Sequence, residues 1–242
     1  MKLYNELADW WHLFSIPDDY AEEAALYWEI ISKYKENIQS ALELGSGGGN
    51  NAFHLKKKCT FTLSDLSPAM IKISEVLNPE CAHFVGDMRN LTLNEVFDLV
   101  FIHDAIMYLT TEHDLEQVFQ VAKKHLKPDG ILFIAPDFFK ETFTPVTHHG
   151  GHDDEDRSIR YLEWTYDSNP NDDIVETEFV YLLKNKNDVI KCERDSMLEG
   201  IFSKKTWEAL LTKAGFKVTF ELIPHSELEP DSYFGIIAEP LS

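Results

Sequence analysis

The 242-residue chain has little cysteine and few basic residues. Its three cysteines, Cys59, Cys81 and Cys192, form no CxxC pair, so neither a disulfide framework nor a zinc ribbon is indicated. Lysine and arginine number 22 against 42 acidic residues, which gives a net charge of −20. Because such a surface repels phosphate backbones and anionic lipids, we expect no nucleic-acid or membrane partner. A small-molecule ligand is favoured instead.

Long apolar runs are also missing. The first twenty residues carry charges throughout and lack the apolar centre of a signal peptide. No segment has the roughly 20 consecutive apolar residues of a membrane-spanning helix, so we expect a cytoplasmic protein. Internal repeats and low-complexity linkers are absent, and an apolar fraction of 44% is ordinary for a folded chain. The length therefore fits one domain, residues 1–242.

Strand-like and helical patterns alternate along the first 137 residues. Apolar runs predict strands at 40–45, 60–67, 82–87, 97–104 and 131–137. Helical patterns cover 4–14, 18–38, 50–58, 67–77 and 111–126. Ser67 before Pro68 is a typical helix start. This order indicates a parallel, doubly wound α/β sheet.

The pattern changes after residue 137. A loop rich in histidine and aspartate is followed by strand-like runs at 159–167, 174–183 and 188–198, and the β/α pattern returns at 203–240. Arg160, Leu162, Trp164 and Tyr166 share one face of the first run, and we expect that face to lie against an apolar surface. The domain is thus divided into a helical segment (1–39), a ligand-binding core (40–137), an insertion over the ligand edge (138–200) and a segment that completes the core (201–242).

Glycines cluster where the first predicted strand ends, in "ELGSGGG". Glycine permits positive φ and close approach of the backbone to a ligand. A dinucleotide fingerprint beginning at Gly45 would need glycine at position 50, where the chain has Asn50. Asp65 ends the second strand twenty residues after Gly45, where a carboxylate can accept both hydroxyls of a ribose. These features taken alone fit NAD and S-adenosylmethionine equally.

Two further segments belong to the same edge of the sheet. In "VGDM", Asp87 can accept a hydrogen bond from an adenine amino group, and the Met88 backbone can address the ring. "IHDAIMYL" follows the fourth strand, where a methyl acceptor would meet a sulfonium. In order and spacing, "ELGSGGG", "LSDLSPAM", "GDMRNL" and "FDLVFIHDAIMYL" resemble the class I S-adenosylmethionine-dependent methyltransferases. With "APDFFKETFTP", the helical N-terminus and the insertion, the chain resembles small-molecule N-methyltransferases of nucleotide-linked amino sugars.

The resemblance implies a Rossmann-like, doubly wound seven-stranded sheet with a helical N-terminal lid and a small antiparallel sheet, inserted after strand 5, that caps the acceptor. It implies S-adenosylmethionine as the cofactor, with Glu43 supporting the loop or the ammonium, Asp65 on the ribose and Leu66 on the adenine. The residues expected to bind the cofactor are Tyr20, Glu43, Gly45, Ser46, Gly47, Gly49, Asp65, Leu66, Met70, Asp87, Met88 and His103.

Methyl transfer from a sulfonium is an in-line displacement with an activated donor and a neutral leaving group. Alignment and desolvation of the acceptor then do most of the work, and a base is needed only if the acceptor starts protonated. Tyr108 and His103 are the catalytic candidates, since either can polarise or deprotonate an acceptor. The alternatives are aromatic packing for Tyr108 and the end of a strand for His103.

Substrate contacts are expected from the lid, the loop after strand four and the insertion, at Tyr4, Tyr108, His148, His152, Tyr161 and Glu163. The segment 148–154 also contains His149, Asp153 and Asp154, so a substrate contact, a solvated loop and a metal site are its alternatives. No metal is expected, because O-methyltransferases that hold magnesium take its ligands from the cofactor core.

We therefore expect methyl transfer from S-adenosylmethionine to a small-molecule amine or hydroxyl, which yields S-adenosylhomocysteine. The alternatives are a metal-assisted O-methyltransferase and a non-catalytic S-adenosylmethionine-binding protein. Asn50 and "GDM" argue against an NAD-dependent oxidoreductase. Methyltransferases of nucleic-acid bases carry a Pro-Pro-aromatic segment where this chain has "HDAIMY". A monomer or a homodimer is expected, and the acceptor stays open.

Overall fold

The computed structural model describes residues 1–186 and 188–241. The strands are β1 (Ser40–Leu44), β2 (Thr60–Asp65), β3 (Ala82–Val85), β4 (Phe97–Ile102), β5 (Leu126–Ile134), β6 (Val146–Gly150), β7 (Arg157–Tyr166), β8 (Ile174–Asn185), β9 (Lys191–Gly200), β10 (Phe216–Leu222) and β11 (Phe234–Pro240). The α-helices are α1 (Trp11–Phe14), α2 (Ala21–Tyr34), α3 (Asn50–Leu55), α4 (Pro68–Leu77), α5 (Glu112–His125) and α6 (Lys204–Lys213). Short 3₁₀ helices cover Ala8–Trp10, Pro17–Tyr20 and Asp104–Tyr108.

A seven-stranded sheet forms the centre of the molecule, in the order β10-β11-β5-β4-β1-β2-β3. The predicted doubly wound, Rossmann-like sheet is confirmed, and all six residues of β4 are buried, as its apolar sequence indicates. The sheet is mixed rather than wholly parallel, because β11 runs antiparallel to both β5 and β10. β10 and β11 are consecutive in the chain and are joined by residues 223–233. This connection is shorter than the crossover of a dozen or more residues that a parallel pair needs, so it suits an antiparallel pair.

Local side-chain bonds fix the starts of the helices beside the sheet. Ser67 Oγ accepts hydrogen bonds from the backbone N–H groups of Ala69 and Met70, and Pro68 follows it, so the predicted start of α4 is confirmed. Thr111 caps α5 in the same way, through a bond from Asp114 N–H. Both helices therefore begin just beyond the carboxyl edge of the sheet.

The insertion is a separate four-stranded antiparallel sheet, β6-β7-β8-β9. Three of its strands were predicted, but β6 lies in the histidine-rich segment that was expected to be a loop. That segment has no apolar alternation, and pairing with β7 defines it as a strand. The predicted orientation of β7 was wrong: Leu162 and Trp164 are about half exposed, at 46% and 48%, while Ile159 and Thr165 on the opposite face are buried.

The N-terminal segment packs between the two sheets. It is less regularly helical than predicted, since 4–14 contains only a 3₁₀ turn and the four-residue α1. Leu3, Leu7 and Trp11 join Phe179 and Tyr181 of β8 in one apolar cluster. Burial against the insertion, rather than helix length, therefore holds this segment in place. Within 1–186 and 188–241, no helix is both long and apolar enough to cross a bilayer.

Candidate active site

A cavity of about 550 Å³ opens at the carboxyl ends of β1, β2, β3 and β4. Ligands of doubly wound sheets bind at this edge, and the four predicted segments meet there. The N-terminal segment and β9 close the other side, through residues that include Trp11 and Met197.

The glycine turn after β1 brings its backbone against the next loop. Gly45 has a φ of +76°, and a Cβ there would come within 2.4 Å of the Ala105 Cβ. The N–H groups of Gly45 and Ser46 both donate to the carbonyl of Ser64, at 2.8 and 2.9 Å. A side chain at position 45 would therefore strain the turn and separate it from the loop after β4.

The glycines of this turn do not all face the cavity. Gly45, Ser46, Gly47 and Gly48 line it, and Trp11 lies over Gly48, where a Cβ would be 2.2 Å from Trp11 Nε1. Gly49 is not among the lining residues, and its carbonyl accepts a bond from the Asn78 side chain at 2.9 Å. Gly49 thus anchors the turn to the end of α4.

Asp65 joins the glycine turn to the start of α4. Its Oδ2 accepts a hydrogen bond from Gly47 N–H at 2.9 Å, and its Oδ1 accepts one from Ser67 N–H at 2.7 Å. The carboxylate also lines the cavity, and burial raises its pKa. Asp65 is therefore fixed in orientation, and each carboxylate oxygen keeps a further lone pair for a ligand.

Glu43 is a buried carboxyl at the floor of the cavity, with 2% of its surface exposed. Its Oε2 has no hydrogen-bond partner among residues 1–186 and 188–241, nor does Ser46 Oγ beside it. Burial raises the pKa of Glu43 to about 8, although His103 opposes the shift. An unpaired buried carboxyl is costly, so this group fits a cationic ligand that reaches the cavity floor.

Asp87 is held by a partner that sequence reasoning missed. Arg89 donates to both Asp87 oxygens, with its Nη2 2.6 Å from Asp87 Oδ2, and its Nη1 reaches Asp114 Oδ1 at 3.0 Å. Hydrogen bonds from Arg89 lower the pKa of Asp87, which is therefore ionised. Asp87, Met88 and Arg89 line the cavity together. Arg89 was visible in "GDMRNL", but its partner on α5 was not, because that contact depends on the fold.

His103 lies between two carboxylates. Its Nε2 is 3.6 Å from Glu23 Oε1, and its Nδ1 is 3.4 Å from Asp104 Oδ1. Burial lowers the pKa of His103, but the charges of Glu23 and Asp104 outweigh burial and raise the pKa to about 10. His103 is thus an imidazolium at neutral pH. The sequence singled out His103 but neither Glu23, which lies on α2, nor Asp104.

Tyr4 and Tyr108 meet at the cavity wall, where their hydroxyl groups are hydrogen-bonded. Burial raises the pKa of both phenols well above the usual value. Tyr20 lines the same cavity, and its hydroxyl is 2.7 Å from Ser15 Oγ. Tyr4, Tyr20 and Tyr108, which were all predicted as site residues, therefore lie together at the cavity wall.

Comparison with known proteins agrees with this arrangement. A family model described as a methyltransferase domain matches residues 41–130, which contain the glycine turn and the cavity segments that follow β2, β3 and β4. A curated relative, the dTDP-3-amino-3,6-dideoxy-α-D-glucopyranose N,N-dimethyltransferase of Streptomyces fradiae, is 26% identical over 204 residues, which are 84% of this chain and 79% of the relative. Residues 41–130 therefore carry a methyltransferase domain, and the predicted resemblance to S-adenosylmethionine-dependent methyltransferases is confirmed.

Other relatives are similar to this chain either in sequence, over a shorter segment, or in three-dimensional structure. The dTDP-4-amino-2,3,4,6-tetradeoxy-D-glucose N,N-dimethyltransferase of Saccharopolyspora spinosa is 29% identical over 140 residues, about half of each protein (54% of this chain, 56% of the relative). The structure of Streptomyces venezuelae DesVI has a TM-score of 0.84 at 22% identity and covers 97% of this chain and 98% of its own. SAM-bound CalS10 from Micromonospora echinaspora has a TM-score of 0.76 at 20% identity and covers 91% of each chain.

The cavity of the methyltransferase suits S-adenosylmethionine. The unpartnered Oε2 of Glu43 fits the cofactor's ammonium, and the free lone pairs of Asp65 fit ribose hydroxyls. Leu66, which is 66% exposed at the cavity wall, offers an apolar surface for adenine. Met70 is fully buried in the cluster beneath the N-terminal segment and does not line the cavity. We therefore leave Met70 out of the proposed cofactor site.

The predicted substrate residues of the insertion lie outside the cavity wall. Tyr161 packs on Phe14, with ring centroids 4.7 Å apart, and His152 Nδ1 is 3.0 Å from the Leu13 carbonyl oxygen. Both therefore join the inserted sheet to α1. His148 pairs with Glu163 across β6 and β7, and burial, with Glu199 and Asp104, raises the pKa of Glu163 to about 7. The inserted strand that lines the cavity is β9, through Ser196, Met197 and Leu198.

The acidic residues of the 148–154 segment are engaged in ion pairs. Asp153 Oδ2 is 2.9 Å from Arg160 Nη2, and Asp154 Oδ2 is 2.9 Å from Arg157 Nη2. In the part of the chain that the structure describes, no group of three or more His, Cys, Asp or Glu residues is arranged to hold a metal ion.

Proposed function

We propose that the methyltransferase acts on the amine nitrogen of a small molecule, and that the acceptor is an amino sugar. The observation that carries this proposal is the negative charge of the cavity. Asp65, Asp87 and Asp104 line it, and the cationic lining side chains among the described residues, Arg89 and His103, are both paired with carboxylates. Such a cavity favours a cationic cofactor and an acceptor amine whose nitrogen gains positive charge during transfer.

The names of the relatives support the amino-sugar class. The two curated relatives described above are N,N-dimethyltransferases of dTDP-linked amino sugars, and CalS10 is an amino pentose methyltransferase. The chain's net charge of −20 supports a small acceptor rather than a nucleic acid.

In this mechanism the protein aligns reactants rather than activates them. When bound, S-adenosylmethionine would supply a methyl group already activated by its sulfonium. Asp65 and the glycine turn fix the donor end of the cavity, while Tyr4, Tyr20 and Trp11 cover it and exclude water. With the cofactor bound at the donor end, the acceptor would approach from the side of Tyr108 and β9.

The direct test is product analysis. The purified protein is incubated with S-adenosylmethionine and dTDP-3-amino-3,6-dideoxy-α-D-glucopyranose, and mass spectrometry follows the sugar and S-adenosylhomocysteine. We expect one or two methyl groups on nitrogen, at a rate that a chelator leaves unchanged. Activity that a chelator abolishes and magnesium restores would favour a metal-assisted O-methyltransferase. Cofactor binding without transfer to any amine or phenol would indicate a non-catalytic binding protein.

We further propose a division of labour along the chain. Residues 1–39 act as the lid, 40–137 bind the cofactor, 138–200 cap the acceptor and 201–242 complete the core. Contacts of the insertion with α1 and of β9 with the 3₁₀ helix Asp104–Tyr108 support a cap that affects the acceptor more than the cofactor.

His148 and His149 offer a matched pair for testing the cap. His148 lies opposite Glu163 on the inner face of the inserted sheet, whereas His149 lies opposite Leu162 on the outer face. His148 lies outside the cavity wall, so its proposed contact is with a part of the acceptor that extends beyond the cavity. We expect His148→Ala to raise the acceptor KM by about 3–10-fold, as for one lost hydrogen bond, and to leave S-adenosylhomocysteine affinity unchanged. His149→Ala should change neither quantity. Equal effects of both substitutions, or a loss of cofactor affinity in His148→Ala alone, would contradict the assignment.

A further inference from the structure

Asp104 occupies the junction of the donor and acceptor sides of the cavity. It follows the end of β4, and 40% of its side chain is exposed, toward a cavity that it helps to line. The next residue, Ala105, lies against Gly45, so Asp104 is held close to the glycine turn. Strand β9 packs against the same 3₁₀ helix from the other side.

The neighbours of Asp104 are poorly suited to interact with a positive nitrogen. The Tyr108 hydroxyl is bonded to that of Tyr4, and burial raises its pKa, so it is neutral at physiological pH. His103 has a carboxylate beside each ring nitrogen and is itself a cation. Burial raises the pKa of Asp104, but the charge of His103 and the hydrogen bonds from His103 and Ala105 N–H together outweigh burial and hold the pKa below its usual value. Asp104 is therefore an ionised carboxylate at the acceptor side.

We propose that Asp104 is a catalytic residue that accepts a hydrogen bond from the N–H of the acceptor amine and stabilises the positive charge that nitrogen gains during methyl transfer. This inference rests on the proposed function, because it requires an amine acceptor. His103 and Glu23 act as positioning residues, since His103 Nδ1 lies 3.4 Å from Asp104 Oδ1 and Glu23 lies against the other ring nitrogen of His103.

The charge movement explains why a carboxylate is effective there. The lone pair of the neutral amine forms the N–CH₃ bond, and the electron pair of the breaking S–CH₃ bond stays on sulfur. Sulfur becomes neutral, nitrogen becomes a methylammonium, and the product gives up one proton to solvent after release. Because positive charge moves toward Asp104 as the reaction proceeds, the carboxylate stabilises the transition state more than the ground state.

Asp104→Asn tests the proposal, because asparagine keeps the size and one acceptor oxygen but removes the charge. With dTDP-3-amino-3,6-dideoxy-α-D-glucopyranose as the acceptor, we expect kcat to fall about 100-fold. S-adenosylhomocysteine lacks the sulfonium charge, so its affinity should stay within about threefold of the wild type. Asp156→Asn, which removes a surface partner of Lys186, is the matched control and should leave kcat unchanged.

The outcomes separate this proposal from the proposed function. Wild-type turnover with an Asp104→Asn kcat within about threefold of the wild type would overturn the role of Asp104 alone. No wild-type turnover with any amine would overturn both proposals. A combined loss of S-adenosylhomocysteine affinity and thermal stability in Asp104→Asn would assign the residue to the fold instead. If Asp104→Asn does not fold, Asp104→Glu is tested in its place. Because glutamate displaces the charge by one methylene, we expect kcat to fall about tenfold while the affinity for S-adenosylhomocysteine stays unchanged. An unchanged kcat would overturn the proposal.

Discussion

Replacing Asp65 by alanine is expected to weaken S-adenosylhomocysteine binding by about 100-fold or more. In the proposed site, the carboxylate accepts two ribose hydroxyls, and hydrogen bonds to a charged group contribute on the order of 1.5–3 kcal/mol each. The substitution also removes the acceptors for Gly47 N–H and Ser67 N–H, so the glycine turn loses its link to α4. Isothermal titration calorimetry measures the effect directly.

Asp87→Ala is the comparison for this result. Asp87 is proposed to meet a single adenine amino group, and its carboxylate is already engaged by Arg89. We therefore expect a loss of about tenfold, as for one hydrogen bond. Equal, small losses in both variants would show that the ribose is not at Asp65. Thermal melting of both proteins controls for damage to the fold.

Glu43→Gln is expected to stabilise the protein without ligand at alkaline pH. The usual pKa of 4.5 is raised to about 8 by burial, so the folded state retains a proton that the unfolded chain releases. The stability gained from the neutral carboxyl is full below about pH 4.5 and is lost as pH rises toward 8. Glutamine does not titrate, so the variant does not lose this stability as pH rises. Near pH 9 its melting temperature should lie roughly 5–10 °C above that of the wild type, and near pH 5 the difference in melting temperature should be smaller.

The same substitution should weaken the cofactor by about 100-fold. The unpartnered Oε2 of Glu43 is proposed to meet the ammonium of the methionine part, and breaking a buried ion pair typically costs about 3–5 kcal/mol. Excess S-adenosylmethionine should therefore reverse the order of melting temperatures near pH 9. A variant that binds as tightly as the wild type would show that Glu43 supports only the loop. Asp156→Asn, on the surface, provides a charge-loss control that should change neither property.

The central sheet was predictable because its signals are local. The buried run of β4, the Ser67 start of α4 and the glycine turn after β1 each depend on a few adjacent residues. Parallel strands bring their carboxyl ends to one edge, so the segments at Glu43, Asp65 and Asp87 were expected to meet, and all three line one cavity.

The missed features depend on contacts between distant segments. Glu23 approaches His103 from α2, and Asp114 reaches Arg89 from α5, although neither pair is close in sequence. The orientation of β7 was misjudged because aromatic residues occupy both of its faces, and only packing against the N-terminal segment selects the buried one. Strand β6 forms by pairing with β7 and carries no strand signal of its own.

A crystal structure with S-adenosylhomocysteine tests the account most directly. We expect both ribose hydroxyls to donate to Asp65, the ammonium of the ligand to lie against Glu43, and its sulfur to face Asp104 and Tyr108. A ligand bound with its adenosine reversed, so that the ribose lies away from Asp65, or bound outside this cavity would contradict the account.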